Sequence, residues 1–384
     1  MPINRIAIKN YKSLKCLELD LKPLMVFVGP NNSGKSNIFD CLWFLSEFVK
    51  SEPGNAIVKR GEFNHVVFDG IIEQRISIQL EGSTNVKDKE RFYWYSLELS
   101  GDKYGHCFIE HEIFRLIKED GKQDLLKYPD EKGSATVFDE TGKPISSYGV
   151  GRDRSYLYYF RDSDRYPILG HFSNEVQSWV FFNLLPPSMR APLPVRRELQ
   201  LQTHGENLSG VLHVIQSEYP DRFKEIEDIL KSAVPELKEL STGLTAHETG
   251  QTYVRISEKN LSTSIPAWGM SDGTLRFLAC LAALYSPASP KLICFEEPEN
   301  YVHPRLLELM VNLLKGASEK TQVLINTHSP YLVDFLDPGD LFIVEKVNGE
   351  TQVKSAEDKK GIKEALKTLG LGEMWYSGGL GGVP

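Results

Sequence analysis

The chain has 384 residues, 41% hydrophobic and 25% charged, enough apolar material for a globular protein of one to three domains with a sizeable core. A net charge of −8 excludes a globally basic nucleic-acid binder, though not a local basic patch. The five cysteines, Cys16, Cys41, Cys107, Cys280 and Cys294, are scattered without a C-x-x-C pair, which argues for reduced thiols and against a disulfide framework or a zinc site.

The chain starts Met1-Pro2-Ile3-Asn4-Arg5 without a signal-peptide core, and no apolar run approaches the ~20 residues of a membrane span. A soluble, cytoplasmic protein is expected. Residues 3–9 alternate with Ile6 and Ile8 on one side, and 14–21 alternate through Leu17, Leu19 and Leu21. This pattern predicts a hairpin around Asn10-Tyr11-Lys12-Ser13. The continuous apolar run Leu24-Met25-Val26-Phe27-Val28 predicts a buried strand. After a short glycine-containing loop, Ile38, Phe39, Leu42, Leu45, Phe48 and Val49 recur at helical spacing up to the breaker cluster Ser51-Glu52-Pro53-Gly54-Asn55. Residues 75–80, 91–99 and 106–117 alternate strongly and predict an antiparallel meander. Residues 118–170 are polar and tyrosine-rich and carry no assignable pattern.

Further on, 173–185 reads as a helix stopped by Pro186-Pro187. Residues 207–219 and 221–233 read as two more, with Asp221 as N-cap of the second. A hairpin over 243–257 precedes Ser271-Asp272-Gly273-Thr274 and an apolar helix over 275–285. Residues 291–295 form a buried-type strand ending at Glu296-Glu297. A helix over 305–316, a strand over 322–326 ending at Thr327-His328, and a last strand over 341–345 follow. No heptad run is long enough for a coiled-coil arm.

The loop between the first buried strand and its helix, Gly29-Pro30-Asn31-Asn32-Ser33-Gly34-Lys35-Ser36, matches the phosphate-loop pattern G-x-x-x-x-G-K-[ST] at every fixed position. Strand, glycine-rich loop and helix is the arrangement in which backbone N–H groups and a helix N-terminus face an anion. Lys35 then reaches the β- and γ-phosphates, and the Ser36 hydroxyl serves a magnesium ion. Glu296-Glu297, after four apolar residues, is a Walker-B pattern, with the first carboxylate for magnesium and the second to orient or deprotonate the attacking water. His328, just past a buried strand, is placed to sense a γ-phosphate; the alternative is a loop histidine near the next helix start. Ser271 and Gly273 open a second helix N-terminus suited to an anion. One nucleotide does not need two such ends, so they point to a γ-phosphate held by a second copy of the chain. The alternative is an ordinary cap with Ser271 or Asp272 as N-cap.

Taken together, these motifs resemble those of ABC-type ATPase heads of the RecF/SMC/OLD-like group, most of all the compact bacterial ATPases found in defence or toxin-like operons. The opening Ile8-Lys9-Asn10-Tyr11-Lys12-Ser13-Leu14 resembles the group's NF(K/R)S opening. Walker A, the Ser-Asp-Gly-Thr signature, Phe295-Glu296-Glu297-Pro298-Glu299-Asn300-Tyr301-Val302-His303-Pro304 and Thr327-His328-Ser329-Pro330 follow in the family's order. Gly205-Glu206-Asn207-Leu208 and the glycine-rich end after Trp375 also resemble this subgroup. The likeness covers residues 1–50 and 265–345 well and the middle poorly.

The resemblance implies an α/β ABC-type P-loop ATPase head with a β-rich subdomain and an inserted helical lobe, and no long coiled coil. Residues 1–80 would form the N-terminal part of the head, 81–240 the inserted lobe, and 241–384 the C-terminal part with a docking tail. It implies ATP and Mg2+ as ligands. Gly29, Asn31, Asn32, Ser33, Gly34, Lys35, Ser36 and Asn37 would bind nucleotide; Lys12 and Ser13 would approach it. Ser36 and Glu296 would hold magnesium. Glu297 would be the catalytic base, with His328 and Lys35 assisting. Ser271 and Gly273 would act in trans across a homodimer. Asn300 and His303 would lie in the D-loop.

Glu296 stands where many ABC proteins have Asp, and Asp272 and Thr274 replace residues of LSGGQ. For the Q-loop, Gln74, Gln79 and Gln177 stay open. The expected function is a slow ATPase that dimerises around ATP and signals to DNA or a partner effector, in anti-phage defence. The alternatives are a RecF-like DNA repair ATPase and a nucleotide-gated scaffold with negligible turnover. Arg152, Arg154, Arg161 and Arg165 lie among tyrosines, and Arg190, Arg196 and Arg197 follow the Pro186-Pro187 turn; they could grip phosphates, or pair with local acids such as Asp153, Asp162 and Asp164 on a solvated face. With 38 residues after Lys346 and no clustered acids among them, no nuclease domain of the OLD kind is expected in this chain.

Overall fold

The structure is a computed structural model that describes residues 3–50, 53–119, 121–149, 151–152, 154–160, 165–245 and 250–382. It is a mixed α/β protein that divides into two compact units: Met1–Trp179 with Pro338–Ala365 and Trp375–Pro384, and Val180–Asp337 with Leu366–Met374.

The first unit begins with β1 (Ile3–Tyr11), β2 (Leu14–Asp20) and β3 (Leu24–Val28). β1 and β2 form the expected antiparallel hairpin, with Ile6 opposite Leu19 and Ile8 opposite Leu17. β3 is buried throughout, which is why it reads as an unbroken apolar run. Then come α1 (Lys35–Lys50), α2 (Pro53–Val58) and α3 (Phe63–Val66). Strands β4 (Ile76–Val86), β5 (Lys89–Gly101), β6 (Cys107–Lys118), β7 (Gly121–Tyr128), β8 (Ala135–Phe138) and β9 (Pro144–Tyr148) run as an antiparallel meander. With β1 and β2 they make an eight-stranded sheet in the order β2-β1-β4-β5-β6-β7-β8-β9. Tyr93, Tyr95 and Phe114 on its inner face close around Phe172 of α4 (Pro167–Gln177), with ring centroids 4.8, 5.2 and 5.0 Å away. Such an aromatic cluster supplies large buried area from few residues.

The second unit contains β10 (Val180–Phe182), β11 (Leu193–Pro194), α5 (Leu208–Glu218), α6 (Pro220–Ala233), β12 (Leu237–Leu244), β13 (Gln251–Glu258) and β14 (Ile265–Pro266). They are followed by α7 (Asp272–Leu284), β15 (Leu292–Glu296), α8 (Leu307–Ser318), β16 (Gln322–Asn326) and α9 (Pro330–Val333). β10, β15 and β16 pair in parallel, so Glu296 stands opposite Asn326. β11, β13, β12 and β14 form a separate antiparallel sheet. The chain then returns to the first unit with β17 (Leu341–Val347), parallel to β3, and β18 (Glu350–Ser355), antiparallel to β17. Two short helices, α10 (Ile362–Ala365) and α11 (Leu371–Tyr376), lie near the end.

Among the described residues the longest helix is the sixteen-residue α1, and none is long and apolar enough to cross a membrane. The segment 173–185 departs from its expected form. The helix there ends at Gln177 and the chain turns into strand β10. Val180, Phe181 and Phe182 are β-branched and aromatic, and pairing with the buried β15 outweighs their helical spacing. Helix α6 begins at Pro220, not after Asp221, because proline's missing N–H costs nothing in a first turn.

Candidate active site

The phosphate loop leaves β3 and enters α1 within the first unit. Gly29, Ser33 and Lys35 are buried, while Asn31, Asn32 and Ser36 are exposed. Asn32 sits in the left-handed region at φ 64°, a conformation asparagine tolerates. Lys35 Nζ donates to the carbonyls of Gly29 (2.8 Å) and Pro30 (2.9 Å), which wraps the loop around its own lysine. Gly34 has φ 102°, and a Cβ there would lie 1.9 Å from Thr351 Oγ1 and 2.7 Å from Ser13 Oγ. Only glycine fits that turn.

Ser13 and Asn37, both expected near nucleotide, lie together under the loop: Asn37 Nδ2 donates to Ser13 Oγ at 2.7 Å. Lys12 is instead ion-paired with Asp40 of α1 at 2.6 Å. Asp40 also accepts from Tyr11 Oη and Arg60 Nε. This network ties the first hairpin to the face of α1. Burial alone would lower the Arg60 guanidinium, but Tyr11, Asp40 and Glu47, which accepts from Arg60 Nη1 at 2.7 Å, together hold it above its ordinary value.

The second unit carries the other group of expected site residues. Glu296 ends β15. Glu297 follows with φ 45°, a left-handed conformation that costs on the order of 1–3 kcal/mol and persists only where surroundings impose it. Those surroundings are visible. Its N–H donates to Asn326 O at 2.7 Å, its carbonyl accepts from Arg276 Nη2, and Asn300 Nδ2 donates to its carboxylate. The His328 ring nitrogen Nε2 is 3.9 Å from Glu297 Oε1. The carboxylate of Glu297 and the imidazole of His328 are therefore neighbours, both partly open to solvent. Glu299 is buried, accepts from the Thr327 hydroxyl, and is raised above the usual carboxyl range by that burial, opposed by the Thr327 bond.

Ser271 is the N-cap of α7; its Oγ accepts from Thr274 N at 3.1 Å. The cap is exposed. Gly273 is required by packing, since a Cβ would meet the Tyr301 carbonyl at 2.4 Å. His303 likewise caps its own turn, accepting from Arg305 N.

Two arginines organise this unit: Arg190, expected on a partner-binding or solvated face, and Arg276, which motif reading passed over. Arg190 donates to the carbonyls of Ala267 and Met270, both at 2.9 Å, and pairs with Asp272, fixing the approach to Ser271. Arg276 is buried inside α7 and donates to the carbonyls of Leu184, Glu296 and Glu297. Burial pulls its guanidinium below the ordinary value. A lone cation in an otherwise apolar helix was its signal in the sequence. Of the arginine-rich stretch, Arg152 pairs with Glu110 and Arg197 with Glu218, while Arg154 and Arg165 lie over Tyr158 and Tyr166. Arg161, Asp153, Asp162 and Asp164 lie outside the described residues. Gln177 donates to Ser173 Oγ within its own helix.

A phosphate loop at the start of α1, an acid pair at the end of a buried parallel strand and a capped signature helix define an ABC-type ATPase head of the RecF/SMC/OLD group. The solved SMC head bound to the C-winged helix domain of ScpA superposes with a TM-score of 0.58 at 13% identity, covering 96% of this chain and 100% of that one. The chain belongs to the family described as "AAA domain, putative AbiEii toxin, Type IV TA system", whose model matches residues 24–334. It is 22% identical to the OLD nuclease of Thermus scotoductus over 96% of this chain and 67% of that protein. It is 46% identical to the DNA replication and repair protein RecF of Phocaeicola vulgatus over 76 residues, 19% of this chain and 20% of that protein. The chain thus spans about two thirds of the first relative and a fifth of the second.

Proposed function

We propose that this chain binds ATP with magnesium, hydrolyses it slowly, and pairs with a second copy around two nucleotides. The paired state is then read by DNA or a partner effector protein, in anti-phage defence. The observation that carries the reading is the phosphate loop. Its glycine turn, buried Lys35 and exposed Ser36 at the N-terminus of a sixteen-residue helix form an anion-binding end with a lysine and a hydroxyl attached. Among the described residues no cluster of three or more His, Cys, Asp or Glu is placed to hold a metal. Magnesium bound with a nucleotide uses one or two protein oxygens plus phosphates, and the hard oxygens of Ser36 and Glu296 fit that need. Bound there, the ion would neutralise charge on the transferring phosphate.

In this reading Lys35 turns from its carbonyl partners to the β- and γ-phosphates. Glu297 accepts a proton from the attacking water, and His328 beside it orients that water or contacts the γ-phosphate. Asn300 and the Arg276-held backbone keep the Glu297 carboxylate in place. The exposed Ser271 cap and α7 N-terminus serve the nucleotide of a second copy. The solved SMC head bound to a ScpA domain supports the idea that a head of this fold takes a protein partner. Calorimetry tests the site. Wild type should bind ATP with magnesium, and Lys35→Ala should lose most of that affinity while keeping its fold; equal affinity in both would reject the assignment.

A further inference from the structure

The phosphate loop is held from below by a chain of hydroxyls whose proton directions are determined. Thr351 Oγ1 lies 2.9 Å from Ser33 O and 2.6 Å from Ser13 Oγ, and Asn37 Nδ2 lies 2.7 Å from Ser13 Oγ. A carbonyl only accepts, so the single Thr351 proton goes to Ser33 O. Thr351 must then accept from Ser13, whose own proton is thereby used. Ser13 in turn accepts from the Asn37 amide, which has protons to give. The sequence Asn37→Ser13→Thr351→Ser33 is fully satisfied and runs one way, so each bond polarises the next. A backbone bond from Thr351 N to Ser13 O at 2.8 Å ties β18 to the turn between β1 and β2. Thr351 is 2% exposed and Ser13 8%, so water does not compete. The Thr351 hydroxyl also occupies the space beside Gly34, directly behind the turn that aims the loop's N–H groups.

We propose that Thr351 of β18, through Ser13, is a positioning residue for phosphate binding: it sets the conformation of Ser33 and Gly34 and so preorganises the loop for ATP. The proposal rests on the phosphate-loop reading above. β18 lies more than 300 positions from the loop in sequence, and this hydroxyl, beside the Thr351 N–H bond to Ser13, joins it to the loop. A preorganised loop binds without first paying for its own ordering.

The test uses the full chain and ATP with magnesium. Thr351→Val keeps the shape and removes the hydroxyl, leaving the Ser33 carbonyl and Ser13 proton unpaired. Thr351→Ser keeps the hydroxyl. Calorimetry well below each variant's unfolding midpoint should show ATP bound roughly tenfold more weakly by Thr351→Val and within about twofold of wild type by Thr351→Ser. In turnover assays KM should rise more than kcat falls. Ser13→Ala breaks the same chain one link earlier and carries the test if Thr351→Val does not fold. Wild-type affinity in Thr351→Val or Ser13→Ala, with Lys35→Ala defective, would overturn this proposal alone. A wild-type chain that does not bind ATP, or a Lys35→Ala variant that binds normally, would remove the site reading and this proposal with it.

Discussion

At the scale of single residues, the acid pair at the end of β15 differs in backbone shape. Glu296 keeps the strand conformation and its register with Asn326, while Glu297 turns left-handed and is pinned at its N–H, its carbonyl and its carboxylate. A carboxylate held this firmly beside His328 suits a base that must meet one water in one place. Glu297→Gln keeps the shape and its contact with Asn300 but removes the basic oxygen. It should bind ATP and lose turnover by ~100-fold or more, read by phosphate release. Wild-type release would place the base elsewhere. The motifs were legible as strand ends and helix starts because each sits beside a strongly apolar run, as at β3, β15 and α7. Thr351 and the contacts that Arg190 and Glu299 make were not legible, because each pairs with a partner distant in sequence and no local pattern announces such a pairing.

At the scale of elements, the strands and helices with a clear period appear where the sequence places them: β1–β3, α1, the start of the meander, α7, β15 and β16. The continuation of the meander through β7, β8 and β9 was hidden. Those strands lie toward the sheet's far edge; β7 and β9 are only partly buried, so polar residues are tolerated and alternation is lost, while the buried β8 is too short at four residues to show a period. The segment after α4 shows the opposite failure, an apolar run whose helical spacing was coincidental.

The end of the chain forms an element of its own kind. Trp375 is fully buried and its Nε1 donates to Gly382 O, while Gly382 N donates to Glu345 of β17. That N–H, followed by Lys354, holds the Glu345 carboxyl below its ordinary value of 4.5. A depressed folded value means the contribution is present above the ordinary value and is lost as pH falls through the folded one. Glu345→Gln should therefore lower the urea midpoint at neutral pH, and the gap to wild type should narrow as the pH falls below the ordinary value of 4.5 and through the depressed folded value. A gap that stays constant from neutral to acid pH would show that the carboxylate charge does not hold this latch.

At the scale of the whole molecule, the residues proposed for nucleotide chemistry fall in two compact units. The phosphate loop, Ser13 and Thr351 lie in one; Ser271, Glu296, Glu297 and His328 lie in the other. Chain order does not show this division, since β17 and β18 return to the first unit after the whole of the second has been built. In the second unit the Ser271 cap is exposed, as is Tyr301 beside it, and the proposed pairing of two copies around ATP would cover both. The measurement that tests this most directly is the molar mass of the Glu297→Gln chain by light scattering, with and without ATP and magnesium, beside the same chain carrying Ser271→Arg. The account predicts an ATP-dependent doubling of mass in Glu297→Gln that disappears when bulk and charge are placed at position 271. A mass unchanged by ATP in every variant, or an ATP-dependent dimer indifferent to Ser271→Arg, would contradict it.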